Sequence, residues 1–561
     1  MKFRPAIGES DFRKVRESGA GYVDKSSFIS EILDDMSSGL LFSRPRRFGK
    51  TINLSMLGYF LRKTDEDLSH LFEGLAVTRD PKAMAHFQKY PTISVTFKDV
   101  YAATFEGAIV GIRDQIIEAF RAHRHLLDQN KLDPYRARQF QHVLSGEVSN
   151  SELLFSLEWL SHILYQQYKT YVLILIDEYD TPIQAGYTHG YFDEIVPFIR
   201  NLLSAALKDN VALFKGVLTG ILYVLRDNMF SGLNNIRVHS IMSSQYATSF
   251  GFTEDEVAAI VEPAHVAEVR AWYNGYIFGG HVIYNPWSIL SYIEQGTLQP
   301  YWVNTGSSDL IEHLAAKQGL GLSEKSYALL NGETIEIRID DNIVLRDIDK
   351  RSEALWNFLL FSGYLKVVEF TMHMGTTTGK LAIPNIEIRS VYRTMFENWL
   401  TRVDPDWYMT NDVVQALLAG DAAQVQELLE QILLTAMSYQ DGAGRAPEKL
   451  YHGFMLGMLV HMEARYEVRS NRESGRGRAD VYMRPKTVGQ PGVVMEFKVP
   501  LGRETPEVAL EKATKQLRER KYAAELIAAG ASPVHEYAMV FDGKQVWVNR
   551  IDGPETSAAT G

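Results

Sequence analysis

Arg44-Pro45-Arg46-Arg47-Phe48-Gly49-Lys50-Thr51 decides how the first half of this chain is read. It follows a short apolar run, Gly39-Leu40-Leu41-Phe42-Ser43, and precedes Ile52 to Leu61, which reads as a helix. Strand, loop and helix in that order is the context a phosphate-binding loop requires. Backbone N–H groups along Arg46, Arg47, Phe48, Gly49, Lys50 and Thr51, at the helix N-terminus, would receive phosphate oxygens. Lys50 would reach the β- and γ-phosphates of ATP, and the Thr51 hydroxyl would ligand Mg²⁺. The pattern is incomplete, because the position six before the lysine, a glycine in the full pattern, is Arg44. A bare Gly-Lys-Thr also occurs often by chance.

A second element supports the nucleotide reading. Tyr171-Val172-Leu173-Ile174-Leu175-Ile176 is a nearly unbroken apolar run, as in a parallel strand buried on both faces, and it ends in Asp177-Glu178-Tyr179-Asp180. Carboxylates at the C-terminal end of such a strand sit where open α/β sheets bind ligands. Asp177 would hold the Mg²⁺ shell and Glu178 would orient the attacking water. Standing alone, a strand ending in solvated acids is the commoner case; with Gly49-Lys50-Thr51 upstream, the ATPase reading is preferred. A further strand, Ala212 to Leu218, ends at Thr219-Gly220, which suits a polar sensor near the γ-phosphate or, equally on spacing alone, a simple strand-end turn.

Near the C-terminus stand Gly477-Arg478-Ala479-Asp480 and Glu496-Phe497-Lys498. Glu448 opens a predicted helix to about residue 464, strands follow at 466–469, 479–483 and 493–498, a long helix covers about 506–528, and short strands close the sheet. Side chains alternate along a strand, so Glu496 and Lys498 share one face, and Asp480 on the neighbouring strand can meet them. Two carboxylates can then share a divalent ion, Mg²⁺ or Mn²⁺, with Glu448 as an outer ligand, while Lys498 positions water and steadies negative charge. Alone, Asp…Glu-x-Lys reads better as a surface salt bridge; the order of helices and strands around it favours a nuclease. Arg465, Arg469, Arg472, Arg476 and Arg478 cluster beside this site, either as phosphate contacts or as a solvated basic face.

The bulk numbers set limits. A chain of 561 residues exceeds one hydrophobic core. With 46% hydrophobic and 23% charged residues it is an ordinary folded protein. No apolar run reaches the roughly 18 residues of a membrane helix. The absence of cysteine excludes disulfides and thiolate zinc sites and suits the cytoplasm. A net charge of −11 argues against a protein that coats nucleic acid, but not against a local site. Residues Trp272 to Phe278 are read as aromatic packing of a small helical subdomain rather than base stacking.

Taken together, Tyr22-Val23-Asp24-Lys25, the Arg44–Thr51 loop, Ile176 to Asp180, Leu218-Thr219-Gly220, Phe230 to Asn235, Phe250 to Thr253, Trp272 to Tyr276 and Tyr284 to Ser288 resemble the bacterial AAA-ATPase-like family. Ser470 to Asp480 and the Gln516 to Tyr522 region resemble the PD-(D/E)xK nuclease superfamily domain that accompanies it. The resemblance implies that Arg44 is a family variant of the loop, and that Arg472, Arg476, Arg478 and Gln516 face nucleic acid. It also marks a departure: Tyr223 stands where a basic residue often follows Thr-Gly, with Arg226 as a substitute. The resulting expectation is α/β throughout: a P-loop NTPase domain with helical lid at 1–310, a helical connector at 311–440 and a restriction-endonuclease-like domain at 441–561. The expected function is ATP-gated or ATP-powered, metal-dependent cleavage of nucleic acid, DNA or RNA with DNA the favoured partner, with no membrane and with room for a homo-oligomer. The competing reading is a signalling or assembly ATPase whose nuclease-like domain only binds nucleic acid.

Overall fold

A computed structural model describes residues 3–128, 131–222, 235–302, 324–330, 332–340, 352–403, 408–436, 448–459, 462, 465–470, 480–520 and 522–551. The chain divides into two compact units, Met1–Ile311 with Glu336–Ile388, and Glu312–Ile335 with Arg389–Gly561. The division therefore falls inside the stretch read as a connector.

The first unit is built on five strands: β1 (Gly39–Ser43), β2 (Thr92–Thr96), β3 (Val172–Asp177), β4 (Leu213–Gly220) and β5 (Ile236–His239). They pair in the order β2-β3-β4-β1-β5, all parallel. β1 and β3 are buried at every position, which is why they read as continuous apolar runs. The helix Lys50–Leu61 packs Leu54, Leu57, Phe60 and Leu61 into one core with Leu40, Phe42, Leu173, Leu175 and Val217 of the sheet. Because β4 lies between β1 and β3, three neighbouring strand ends bring the 44–49 loop, Asp177-Glu178 and Thr219-Gly220 to one edge of the sheet.

Two small sheets complete this unit. β6 (Phe252–Thr253), β7 (Tyr276–Phe278) and β8 (His281–Tyr284) pair antiparallel in the order β6-β8-β7. The helices Glu254–Ile260, Val266–Tyr273 and Pro286–Gln295 flank them. Tyr273, Tyr276 and Phe278 are core residues here, but 276–278 is a strand, which corrects the wholly helical expectation. The cause is backbone chemistry: Gly275 sits at φ 106, where a Cβ would meet Pro384 O at 2.2 Å, and Gly279-Gly280 turns the hairpin at positive φ. β9 (Ile335–Ile339), β10 (Lys366–His373) and β11 (Thr376–Ala382) form the other sheet, in the order β10-β11-β9. The middle of the chain thus holds strands alongside the helices Ser352–Phe361, Ile386–Val403, Tyr408–Ala419 and Ala422–Ala436.

The second unit holds β12 (Tyr466–Ser470), β13 (Val481–Pro485), β14 (Gly492–Lys498), β15 (Val534–Asp542) and β16 (Gln545–Ile551), paired in sequence order. Only β14 and β15 run parallel; the other three pairs are antiparallel. Val493, Met495 and Phe497 face a core shared with the helix Glu448–Leu459 and with Val413, Leu417, Val425 and Leu429. The helical pair at 408–436 is therefore part of this unit's core. Val494 lies on the opposite face, packed with Ala513 and Leu517 of the helix Pro506–Arg520, and the long helix expected over 506–528 is two pieces, the second being Ala523–Ala528. No helix among the described residues is long and apolar enough to cross a membrane.

Candidate functional site

The 44–49 loop turns its carbonyl groups toward protein donors. Arg44 Nη1 donates to Ser43 O at 2.9 Å, and Lys50 Nζ donates to Arg44 O at 3.0 Å and Pro45 O at 2.9 Å. Gly251 N donates to Phe48 O at 2.9 Å, and Asn53 N to Gly49 O at 3.1 Å. Arg47 (φ 66) and Gly49 (φ 84) both take the left-handed conformation that lets a loop wrap an anion. Arg44, the apparent break in the pattern, is fully buried with its side chain turned into the core. There it also donates to His239 O at 2.7 Å and Tyr246 O at 3.3 Å and lies over Phe250 and Phe278. Burial pulls its pKa down to about 9, which still leaves it a cation near neutrality.

Lys50 is buried, and burial lowers its pKa while Glu178, Asp177 and Asp180 act against that. Asp177 accepts from Thr51 Oγ1 at 2.7 Å on one oxygen and from the Thr219 hydroxyl on the other. The start of the helix Lys50–Leu61 and the ends of β3 and β4 are thereby tied through one carboxylate, a donor set that fits Mg²⁺. Glu178 has φ 51, its N–H points at Thr219 Oγ1 at 3.4 Å, and burial raises its pKa. A non-glycine residue held at positive φ beside a buried lysine is where function is expected to store strain. Asp180 serves the scaffold instead: its Oδ2 accepts from Ile221 N and Leu222 N at 3.0 Å and from Gln184 Nε2 at 2.9 Å. Gln184 Oε1 in turn accepts from Arg46 Nη2 at 3.3 Å, and Arg47 lies 3.7 Å above the Trp287 ring.

Two residues beside the loop carried no signal in the sequence. Trp302 Nε1 donates to Arg46 O at 3.1 Å. Glu387 is fully buried and accepts from Trp302 N at 2.7 Å and from Ser288 Oγ at 2.9 Å. Burial pushes its pKa up to about 7, against the lowering effect of these donors. The raised value means the folded protein holds a proton that the unfolded chain has released. The corresponding stability is fully present below pH 4.5 and is lost as pH rises through about 7. The expected loss is on the order of 3 kcal/mol. Melting curves of wild type and Glu387→Gln across this range should diverge, the variant lacking that slope; parallel curves would contradict the assignment.

In the second unit, Val481 pairs with Met495, which sets Asp480 beside Glu496. Asp480 Oδ2 accepts from Phe497 N at 2.7 Å, and Lys498 Nζ donates to Glu496 Oε1 at 2.7 Å. Glu496 is buried, and its Oε2 has no hydrogen-bond partner among the described residues. Burial first, and Asp480 second, push its pKa up to about 7. Burial works against the Lys498 ammonium, but Glu496 and Asp480 more than offset it and raise its pKa. Glu448, at the start of its helix, adds to the field on both. An unsatisfied buried carboxylate oxygen facing a second carboxylate is the arrangement a cation relieves. The described residues contain no group of three His, Asp or Glu placed to cage an ion. Asp480 and Glu496 are the residues that would hold such an ion, and oxygen donors suit Mg²⁺. His452, which sequence reasoning passed over, is buried with Nδ1 3.9 Å from Asp480 and its ring edge-on to Phe497. A lone histidine on an apolar helix has no signal until the sheet brings it to its neighbour.

Gln516 is half-buried on the helix covering the Glu496–Lys498 face. Arg465 and Arg469 are exposed, and Arg469 pairs with Glu467. Arg472, Arg476 and Arg478, Tyr223, Arg226 and Phe230 to Asn234 lie outside the described residues.

Comparison with known proteins agrees with this layout. Residues 6–230 match the AAA-ATPase-like family, described as "Predicted AAA-ATPase", and residues 446–551 match the PD-(D/E)XK nuclease superfamily. An "Uncharacterized protein in vnfD 5'region" of Azotobacter chroococcum mcd 1 is 26% identical over 550 residues, spanning 95% of this chain and 96% of that one.

Proposed function

For a chain that carries an AAA-ATPase-like domain and a C-terminal PD-(D/E)XK nuclease superfamily domain, we propose an ATP-hydrolysing, metal-dependent nuclease acting on DNA, its cleavage gated or powered by ATP. What supports this reading is that each unit brings residues of the required types together: Lys50 on the loop carbonyls with Thr51 and Thr219 on the Asp177 carboxylate in one, and Asp480 and Lys498 beside Glu496 in the other. In the first, Lys50 would exchange its two loop carbonyls for the β- and γ-phosphates, Thr51 and Asp177 would hold Mg²⁺, and Glu178 would orient the attacking water. In the second, Asp480 and Glu496 would hold Mg²⁺ or Mn²⁺, and Lys498 would steady the charge that develops on the phosphate. The bound ion supplies phosphate polarisation and a water of lowered pKa. Arg472, Arg476, Arg478 and Gln516 would contact the nucleic-acid backbone, with Glu448 as an outer ligand. A cytoplasmic setting and self-association complete the proposal.

The test is cleavage of plasmid, linear DNA and RNA with Mg²⁺ or Mn²⁺, under no nucleotide, ADP and ATP. Cutting should vanish with chelator. Coupling between the sites should change the DNA rate by roughly 5- to 150-fold between nucleotide states, the usual range for linked sites. Identical rates in all three states would make the nuclease autonomous. Metal-independent retention of DNA without cutting would favour a signalling or assembly ATPase that only binds nucleic acid.

A further inference from the structure

The nucleotide loop is gripped by residues far beyond the 6–230 segment that matches the ATPase family. Gly363 sits at φ 94 against Pro45, where an added Cβ would come within 2.9 Å of the proline ring. Trp302 packs against Tyr364, the rings tilted 52° with centroids 4.9 Å apart, and sends its Nε1–H to Arg46 O at 3.1 Å. Trp302 is itself fixed by Glu387, whose Oε1 accepts its backbone N–H at 2.7 Å, and Glu387 is tied in turn to Ser288 Oγ. Ser288 adjoins Trp287, the ring on which Arg47 rests.

We propose that Trp302, anchored by Glu387, is a positioning residue that clamps the phosphate loop in its anion-receiving shape. The inference rests on the ATP-binding reading above. A phosphate loop works by presenting N–H groups inward, so its carbonyls must be kept turned away from the phosphates. Lys50 performs that service for Arg44 and Pro45 only until nucleotide arrives, because its ammonium must then leave for the phosphates. The indole of Trp302 has no such second task. Its bond to Arg46 O persists when Lys50 departs, and it becomes the side-chain tie that keeps the Arg46 carbonyl out of the site. Losing it should therefore weaken nucleotide binding without touching the groups that perform hydrolysis.

The test uses Trp302→Phe, which removes the indole N–H and part of the ring volume but leaves an aromatic ring beside Tyr364, together with Glu387→Gln and Glu387→Ala. Calorimetry with ATP and ADP, steady-state hydrolysis and thermal unfolding are measured on the full chain. Trp302→Phe should raise the Kd and KM for ATP roughly three- to tenfold, the worth of one hydrogen bond, with kcat close to wild type; the melting temperature should fall by what the lost ring volume costs, and is recorded so that affinity is compared on folded protein. Glu387→Gln should keep wild-type affinity at neutral pH, since its amide oxygen still accepts Trp302 N–H; Glu387→Ala should lose affinity as Trp302→Phe does. If Glu387→Ala does not fold, Trp302→Phe decides. Unchanged ATP affinity in Trp302→Phe, or loss of kcat with KM unchanged, overturns the clamp while leaving the ATP reading in place. Wild-type protein that binds neither ATP nor ADP overturns both.

Discussion

Replacing Lys50 by alanine is expected to abolish tight ATP binding, while Glu178→Gln binds ATP as wild type does and loses hydrolysis. Lys50 is already buried at the mouth of the loop, with Nζ 3.0 and 2.9 Å from the Arg44 and Pro45 carbonyls that it must leave for the phosphates. A charged hydrogen bond of this kind contributes about 1.5–3 kcal/mol, and Lys50 makes more than one, so affinity should fall at least about a hundredfold. Glu178 follows β3 rather than the loop. Its carboxyl is half-buried, and Thr181 Oγ1 stands 3.5 Å from Oε2. The glutamine keeps the shape and removes the charge that orients water, which should cost about 10²–10⁴ in kcat. Calorimetry separates the two outcomes, and equal ATP affinity in wild type and Lys50→Ala would remove the phosphate loop from the account. Because Lys50 also ties down two loop carbonyls, the variant's melting curve must accompany the titration.

The second large effect is at the other site. Asp480→Ala, Glu496→Ala and Lys498→Ala should each reduce DNA cleavage at least about a thousandfold, the scale of losing several kcal/mol of transition-state stabilisation. ATP binding should survive in all three, since none belongs to the nucleotide site. The structure also says which variants need a partner control. Asp480 Oδ2 accepts the Phe497 N–H, so alanine leaves that N–H without its acceptor, at a cost of roughly 1–3 kcal/mol in stability. Asp480→Asn keeps an acceptor there and removes the charge; it should melt nearer to wild type and still fail to cut. Lys498→Ala removes the cation paired with buried Glu496, but leaves both carboxylates in place, so it should bind Mn²⁺ and remain inactive. Asp480→Asn protein that cuts at the wild-type rate would dismiss the metal site and leave a domain that only binds nucleic acid.

Much of both sites was legible in the sequence because the information is local. A strand, a Gly-Lys-Thr and a helix follow one another directly, and a buried apolar run ending in Asp177-Glu178 announces its own strand end. The two-residue period of a strand places Glu496 and Lys498 on one face without knowledge of any neighbour. The sequence determined the residue types of each site, their order along the chain and the α/β character of both ends. It left β9 unrecognised although Ile335-Glu336-Ile337-Arg338-Ile339 alternates cleanly, because a strand that short acquires meaning only when β11 pairs with it.

Tertiary structure alone decided the rest. It placed β4 between β1 and β3, so that Thr219 and Thr51 meet on the same Asp177 carboxylate. It turned Arg44 into the core, where three carbonyls and two aromatic faces receive a guanidinium that looked like a fault in the loop. It set the 408–436 helices into the C-terminal core, brought His452 to Asp480, and carried Trp302 across 256 positions of sequence to the Arg46 carbonyl. The physical reason is common to all of these. Backbone propensity and side-chain period act within a few residues, whereas burial, hydrogen-bond partners and shifted pKa values belong to pairs of residues that only the packed sheet and its helices bring together.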